Sequence, residues 1–255
     1  MIKKLVVTIL SLLLFNITIV TAKESLNQEV TNKHRLQQNI QDQDLTNDSD
    51  LTAAKSYYDK GIAFKRFKKY QDAIENFDLA IKHKHDYAES YLERGCCLLH
   101  LEKYQKAIEN FDLAIKYQPN YVESYLEKGH ALSELGKQHA AIENYNIAIK
   151  YQPDYSNAYH NKGVAFERLG QYQEAIENYN LAIKYQPNDA PTYYNKGISL
   201  IKLGRYQEAI ENFDLAIQYK PELTESYQEK GQVLQKLGKS KDATELFNKA
   251  KSLSK

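Results

Sequence analysis

The chain has 255 residues, of which 26% are charged and 42% are hydrophobic, a balance typical of a folded soluble protein. Its 34 lysines and arginines nearly equal its 33 aspartates and glutamates, so no net field attracts nucleic acid or an anionic membrane surface. The only cysteines, Cys96 and Cys97, are adjacent, which excludes a disulfide framework.

Residues 1–22 have the pattern of an export signal. Lys3 and Lys4 precede an apolar run over residues 5–20, and Ala22 ends a short stretch where a signal peptidase would cut. Cleavage there predicts an exported protein, periplasmic or secreted. The alternative is an uncleaved anchor formed by residues 5–20, a run close to the lower limit of about 17 residues for a bilayer span.

Residues 23–53 are rich in Gln, Asn, Asp, Ser and Thr, with only scattered apolar side chains. So little apolar surface cannot offset the entropy lost on ordering a chain. We therefore expect a disordered polar spacer, with a transient helix around residues 30–40.

From residue 54 onward the sequence repeats itself every 34 residues. The glycines that mark the repeat are Gly61, Gly95, Gly129, Gly163, Gly197 and Gly231. The period predicts six copies at 54–87, 88–121, 122–155, 156–189, 190–223 and 224–255. Positions below are counted from the first residue of each copy, so that Ala54 and Ala88 are both position 1.

Each copy has the pattern of two helices. Apolar or small residues at positions 4, 8, 11 and 14 predict a first helix, and the glycine at position 8 indicates close approach of another helix. In four copies a second glycine at position 15 ends this helix. A second helix is predicted over positions 17–31, and Pro119, Pro153, Pro187 and Pro221 follow it. Asn120, Asp154 and Asn188 are the predicted N-caps of the next first helices.

The pattern Tyr-x3-Gly-x2-(Phe/Leu)…Ala-x3-(Phe/Tyr)-x2-Ala-x4-Pro resembles the tetratricopeptide repeat family, whose period is also 34 residues. Tyrosine stands at position 4 where the family often has tryptophan, and His85 replaces the proline of the first copy. The resemblance implies an all-α fold, a right-handed α-solenoid of six helix-turn-helix repeats whose first helices line a concave groove. It also implies a protein-interaction scaffold.

Enzymatic activity is not expected. The array leaves only residues 23–53 beyond the signal, too few for a catalytic domain, and H-E-x-x-H, G-x-S-x-G and dinucleotide-binding motifs are absent from the sequence. We accordingly predict no cofactor. The expected partner is a protein or peptide, either an amphipathic helix or an extended apolar segment.

The predicted partner-binding groove lies on positions 5, 9, 12 and 13 of the first helices, while positions 4, 8 and 11 face the core. The predicted groove residues are Tyr58, Ile62, Arg66, Leu92, Cys96, Leu99, Leu126, His130, His160, Val164, Arg168, Tyr194, Ile198, Ile201 and Lys202. Acidic flanks on the partner would meet Arg66, Arg168 and Lys202. The alternative is that part of the apolar strip is shielded.

Two other functions stay open at this point. A retained N-terminal segment would make the chain a membrane-anchored assembly or adaptor factor. Cys96, His100 and His130 could converge on successive first helices, which would suit zinc or copper handling.

The last copy departs from the others in its second helix. Thr244, Lys249 and Lys251 replace the apolar residues of positions 21, 26 and 28. Because a solenoid end needs a polar outer surface, these residues predict a cap that prevents stacking of a further copy.

Overall fold

The computed structural model of the chain describes residues 28, 31–33, 35 and 49–253. The predicted signal, residues 1–22, lies outside these residues, as does most of the predicted spacer. The spacer residues that are described, 28, 31–33, 35 and 49–53, are helical. Among the helices of the described parts, none is both long and apolar enough to cross a membrane.

The chain divides into two units, Met1–Ser56 and Tyr57–Lys255, and the second contains the repeats from Tyr57 onward. Helix α1 covers residues 49–66, and the described residues contain no strand. The helices that follow are α2 (Tyr70–His83), α3 (Ala88–His100), α4 (Tyr104–Tyr117), α5 (Val122–Glu134), α6 (Gln138–Tyr151), α7 (Ser156–Arg168), α8 (Tyr172–Tyr185), α9 (Ala190–Lys202), α10 (Tyr206–Tyr219), α11 (Thr224–Lys236) and α12 (Ser240–Leu253).

The helix pairs stack in chain order. From α3 to α12, each first helix packs against the second helix of its own copy, and each second helix packs against the first helix of the next copy. Successive first helices also contact one another, in the pairs α3 and α5, α5 and α7, α7 and α9, and α9 and α11. These contacts confirm the predicted all-α solenoid of helix pairs.

The helix boundaries follow the sequence pattern closely after the first copy. First helices cover positions 1–13 and second helices positions 17–30. The exception is α1, which extends back to residue 49 instead of beginning at Ala54. No second helix of a preceding copy lies before Ala54, so the copy junction that begins the later first helices is absent here.

The turn between the two helices of a copy needs a residue with positive φ. Gly136, with φ of 75°, supplies it in the third copy, and Gly170, Gly204 and Gly238 do so in the fourth, fifth and sixth. In the first two copies Lys68 and Glu102 adopt the same conformation, with φ of 57° and 56°. A side chain makes this conformation costly, so these two turns carry strain that the others avoid.

The glycine at position 8 allows an aromatic ring to lie against the first helix. A Cβ atom on Gly129 would lie 2.5 Å from Cε1 of Tyr145, and one on Gly95 would lie 2.5 Å from Cε1 of Phe111. The rings of Phe77, Phe111, Tyr145, Tyr179 and Phe213 are almost completely buried. The close approach predicted from these glycines is therefore confirmed.

The predicted N-caps are wrong by one residue. Tyr121 and Tyr155 occupy the N-cap positions of α5 and α7, and neither makes a side-chain capping bond. Asn120 instead lies within a tight turn that is closed by a 3.1 Å hydrogen bond from the amide of Tyr121 to the carbonyl of Gln118. Only α9 has a side-chain cap among α2–α11, where the Asp189 carboxylate accepts from the amide of Thr192.

Two of the three residues that predict a cap, Thr244 and Lys251, are exposed at the end of the array as expected. Isoleucines at position 21 of inner copies, such as Ile108 and Ile210, are buried, whereas Thr244 is exposed. Lys251 at position 28 is also exposed. Position 26 was assigned wrongly, because Leu79, Ile147 and Leu181 there are 38%, 36% and 37% exposed inside the array. Lys249 therefore occupies a position that the array covers only in part, since Leu113 and Leu215 at the same position are half-buried.

Candidate functional site

The candidate binding surface is the side of the array formed by the first helices, here called the inner face. Each of α3, α5, α7, α9 and α11 is covered on two sides, by its own second helix and by the second helix before it. Position 3 is consequently as buried as position 8, as Ser90, Ser124 and Thr192 show. What remains accessible is a narrow strip at positions 2, 6, 9 and 13.

The predicted groove residues divide into three groups. Half-buried side chains are Tyr58, Ile62, Cys96, Leu99, His160, Val164, Tyr194, Ile198 and Ile201. Exposed side chains are Arg66, His130, Arg168 and Lys202. Leu92 and Leu126 are buried, with 5% and 6% of their surface exposed. These two leucines belong to the core, so an exposed apolar strip does not run through every copy.

The burial of position 5 has a simple packing cause. The side chain at this position lies over the aromatic ring at position 24 of its own copy, as in Tyr194 on Phe213, whose ring centroids are 6.0 Å apart. Tyr58 lies over Phe77 in the same way, at 5.8 Å. A tyrosine is long enough to extend past the covered region, but a leucine is not. In the second and third copies, therefore, the predicted apolar strip is shielded at position 5, as the alternative in the sequence-based prediction states.

The polar residues at positions 2 and 6 of the accessible strip are not among the predicted groove residues. Positions 2 and 6 of the second and third copies hold the acidic patch, defined as Glu89, Glu93, Glu123 and Glu127. The corresponding residues of the fourth copy are Asn157 and Asn161. The spacing 2, 6, 9, 13 is itself helical and was the available signal, but it becomes visible only when burial on two sides is considered.

Two cations of the inner face hold neighbouring copies together. Nζ of Lys65 lies 2.6 Å from a carboxylate oxygen of Glu93 in the next copy. The Arg168 guanidinium donates to the carbonyl and the hydroxyl of Ser133, both at 3.1 Å, and to Glu134 at 2.8 Å. Arg168 is thus engaged inside the array, which weakens the expectation that it meets an acidic partner.

A pocket of about 400 Å³ opens on the inner face between α3 and α5. Its lining residues are Lys65, Cys96, Leu99, His100, Tyr104, Glu127, His130 and Glu134. Burial raises the pKa of the Cys96 thiol strongly, so this side chain is protonated and serves as an apolar wall. A hydrogen bond with Glu127 raises the pKa of His130.

The three residues of the metal hypothesis do line this pocket, but they are used otherwise. The His100 ring stacks on Tyr70, with centroids 4.5 Å apart, and His130 lies next to Glu127 and Glu134. Within the parts of the chain that the structure describes, no group of three or more His, Cys, Asp or Glu side chains is arranged to hold a metal ion.

A second polar cluster joins α7 to α9. Nδ1 of His160 lies 2.6 Å from the hydroxyl oxygen of Thr192, and that hydroxyl donates its hydrogen to the Asp189 carboxylate. Because the hydroxyl has one hydrogen, Nδ1 of His160 must be the donor to Thr192. The other ring nitrogen of His160, Nε2, lies 3.5 Å from Nδ2 of the Asn195 side chain. Burial lowers the pKa of His160, which keeps the ring neutral.

Family models match most of the array. Models described as "Tetratricopeptide repeat" match residues 88–121, 156–189, 190–223 and 224–255, and one described as "TPR repeat" matches residues 129–170. No curated protein matches the chain significantly.

Solved structures with the same fold include repeat proteins of bacteria. The chain is 26% identical to MamA over 63% of this chain and 94% of that one, with a TM-score of 0.58. PilF of Pseudomonas aeruginosa is 15% identical, over 78% and 90% of the two chains, with a TM-score of 0.69. YrrB is 18% identical, over 69% and 91%, with a TM-score of 0.55. The repeats and these neighbours together support a role as a protein-interaction scaffold.

Proposed function

Because the chain belongs to the tetratricopeptide repeat family, we propose that it is a non-enzymatic scaffold that binds a protein or peptide segment along its inner face. The observation that carries this proposal is the accessible strip of the first helices, which no other element of residues 57–253 covers. YrrB, a TPR protein of the same fold with an unusual peptide-binding site, is consistent with this proposal.

The apolar part of the inner face lies on α7 and α9. Tyr194, Ile198 and Ile201 pack against the buried core on one side and are partly exposed on the other. Val164 on α7 is also half-buried. Such a surface suits the apolar side of an amphipathic helix or an extended apolar segment.

Binding without catalysis fits the chemistry of this surface. The Cys96 thiol is held protonated by burial, and the Cys97 thiol is buried with its pKa raised to about 11, so neither is an activated nucleophile. His160 is neutral, but both of its nitrogen atoms face residues of the array, so it has no free position from which to act as a base.

Site-specific photo-crosslinking in the native cells tests the proposal. A photoreactive amino acid at Ile198 on the inner face should give a discrete adduct with a partner protein. The matched control carries the same group at Glu211, an exposed residue of α10 on the opposite side of the copy. Adducts from Glu211 but not from Ile198 would move the binding site off the inner face.

We further propose that the protein acts after export, on the basis of the signal pattern in residues 1–22. If this segment is retained, the scaffold would act as a membrane-anchored assembly or adaptor factor. N-terminal sequencing of the purified native protein distinguishes the two. A mature end near residue 23 supports export with cleavage, and an intact apolar run in the membrane fraction supports the anchor.

A further inference from the structure

The acidic patch on the second and third copies distinguishes them from the fourth and fifth, while the sixth copy also has glutamates, Glu225 and Glu229, at positions 2 and 6. Glu89 and Glu93 lie one helical turn apart on α3, and Glu123 and Glu127 repeat them on α5. Tyr121 lies near Glu89, Glu93 and Glu123, and Tyr155 lies near Glu123 and Glu127, so the four carboxylates share one region of the inner face. The equivalent positions of the fourth and fifth copies hold Asn157, Asn161, Pro191 and Asn195, which carry no charge.

Only part of this negative charge is balanced within the array. Glu93 is paired with Lys65, and Glu127 approaches His130 at 3.8 Å. Among the described residues Glu89 and Glu123 form no ion pair, and Glu123 is exposed. Like charges repel one another, so a cation from a binding partner would stabilise the patch.

Tyrosine side chains border the carboxylates. Burial, with Tyr58 and Glu89 nearby, raises the pKa of the Tyr121 phenol. Burial, with Glu123 and Glu127 nearby, raises the pKa of Tyr155 to about 12. Both phenols are therefore neutral at physiological pH and half-buried beside the acids. An aromatic ring next to a carboxylate is a combination that binds lysine ammonium and arginine guanidinium groups.

The pocket between α3 and α5 extends this surface inward. Leu99 and Cys96 give it apolar surface, which can cover the stem of an arginine or lysine, and Glu127, Lys65 and His130 line it as well. Glu134 also lines the pocket but is already bound by Arg168 at 2.8 Å. Glu127 already faces His130 at 3.8 Å, so Glu89 and Glu123, which form no ion pair among the described residues, are the carboxylates available to an incoming cation.

We propose that the acidic patch binds a cationic peptide segment, whose lysine or arginine side chains pair with Glu89 and Glu123. This proposal rests on the proposed function. It adds that the partner is positively charged where it meets α3 and α5, the helices on which the apolar strip is interrupted. The apolar residues of α7 and α9 would hold a neighbouring, uncharged part of the same segment.

Binding of three synthetic peptides tests this proposal. The peptides share the same leucines and differ only in having arginine, glutamine or glutamate at the remaining positions. The full chain should bind the arginine peptide at least about tenfold more tightly than the glutamine peptide, with an affinity that falls as salt is raised. The glutamate peptide should bind weakest.

Two variants make the test specific to the patch. Glu89→Gln combined with Glu123→Gln should weaken binding of the arginine peptide by about tenfold. Glu127→Gln should also weaken binding, while the ion pair between Arg168 and Glu134 stays intact. The control, Glu109→Gln combined with Glu143→Gln, removes the same charge from exposed positions of α4 and α6 and should leave the affinity unchanged. Equal weakening by the control pair, or no preference for the arginine peptide, overturns the proposal.

The outcome is separable from the proposed function. Crosslinking at Ile198 does not involve the acidic patch. A partner captured at Ile198 whose binding is unaffected by the patch variants would leave the scaffold role standing and refute the cationic segment.

Discussion

The hydroxyl group of Tyr193 donates a 3.0 Å hydrogen bond to the carbonyl oxygen of Pro187 in the preceding copy. Tyrosines 125, 159 and 227 make the same bond to the equivalent prolines, at 3.0 to 3.2 Å. Tyr91 makes it to His85, so the junction does not require proline. The tyrosines that stand where the family often has tryptophan thus provide a polar contact between successive copies.

Replacement of Tyr193 by Phe should lower the free energy of unfolding by about 0.5–1.5 kcal/mol, since it removes this bond and keeps the ring. The matched control is Tyr219→Phe. The Tyr219 ring stacks on Tyr193 with centroids 5.6 Å apart, but within the described residues its hydroxyl makes no hydrogen bond. Urea unfolding followed by circular dichroism measures both variants, and an equal loss in the two would contradict the junction role.

Glycine at Lys68 and at Glu102 should stabilise the protein by about 0.5–1 kcal/mol each, because glycine adopts positive φ without steric cost. The reverse change, Gly136→Lys, should destabilise by a similar amount. A Cβ atom at Gly136 meets nothing within 4 Å, so that effect would be purely conformational. Thermal and urea unfolding measure these changes. A loss of stability in Lys68→Gly would show that its turn is not strained.

His160 should make the protein less stable in mild acid. Its pKa is lowered in the folded state by burial, so the unfolded chain binds the proton more tightly. Its stabilising contribution is therefore complete above the unfolded pKa of about 6.5 and is lost as pH falls through the folded pKa. The melting temperature of the parent protein should fall more than that of His160→Asn between about pH 7.5 and pH 5.5.

His130 provides a control of opposite sign. A hydrogen bond with Glu127 raises its folded pKa, so its contribution is present below about pH 6.5 and is lost as pH rises through the folded value. Half of the side chain is exposed, so solvent screening makes this effect the smaller one. If His130→Asn and His160→Asn changed the pH dependence in the same direction, the assignment of either group would be wrong.

Thr244→Ile combined with Lys251→Ile should promote association through the last helix, because it restores the apolar residues that inner copies bury against their neighbours. Sedimentation velocity should show a concentration-dependent shift to larger species. Lys249→Leu should leave the sedimentation unchanged, since position 26 is only partly covered even within the array. Association caused by Lys249→Leu alone would contradict the assignment of the cap to Thr244 and Lys251.

The sequence predicted the fold well because each determinant is local and repeated. The glycine at position 8 and the aromatic at position 24 meet within one copy, and the period gives the number of copies directly. The N-caps were missed because the turn at Asn120 is closed by a backbone hydrogen bond, which leaves no sign in the side chains.

The candidate site was predicted less well because burial on a first helix depends on two neighbours. A helical-wheel argument treats such a helix as having one buried side, and it therefore assigned Leu126 to the surface. Packing against the preceding copy buries a second side, which moves the accessible strip to Glu123 and Glu127. The hydrogen bond between Arg168 and Ser133 joins two neighbouring copies, so the sequence of a single repeat does not indicate it.

The bond between each position-4 tyrosine and the backbone carbonyl six residues earlier bears on how such a chain can grow in evolution. Donor and acceptor lie on either side of one copy boundary, and the acceptor is a backbone atom that any residue supplies, as His85 shows. Unequal recombination that inserts or deletes a 34-residue unit would recreate the bond at the new boundary without any compensating substitution. The array is therefore free to change its length by whole copies, and the acidic patch of the second and third copies would be shifted or duplicated with them.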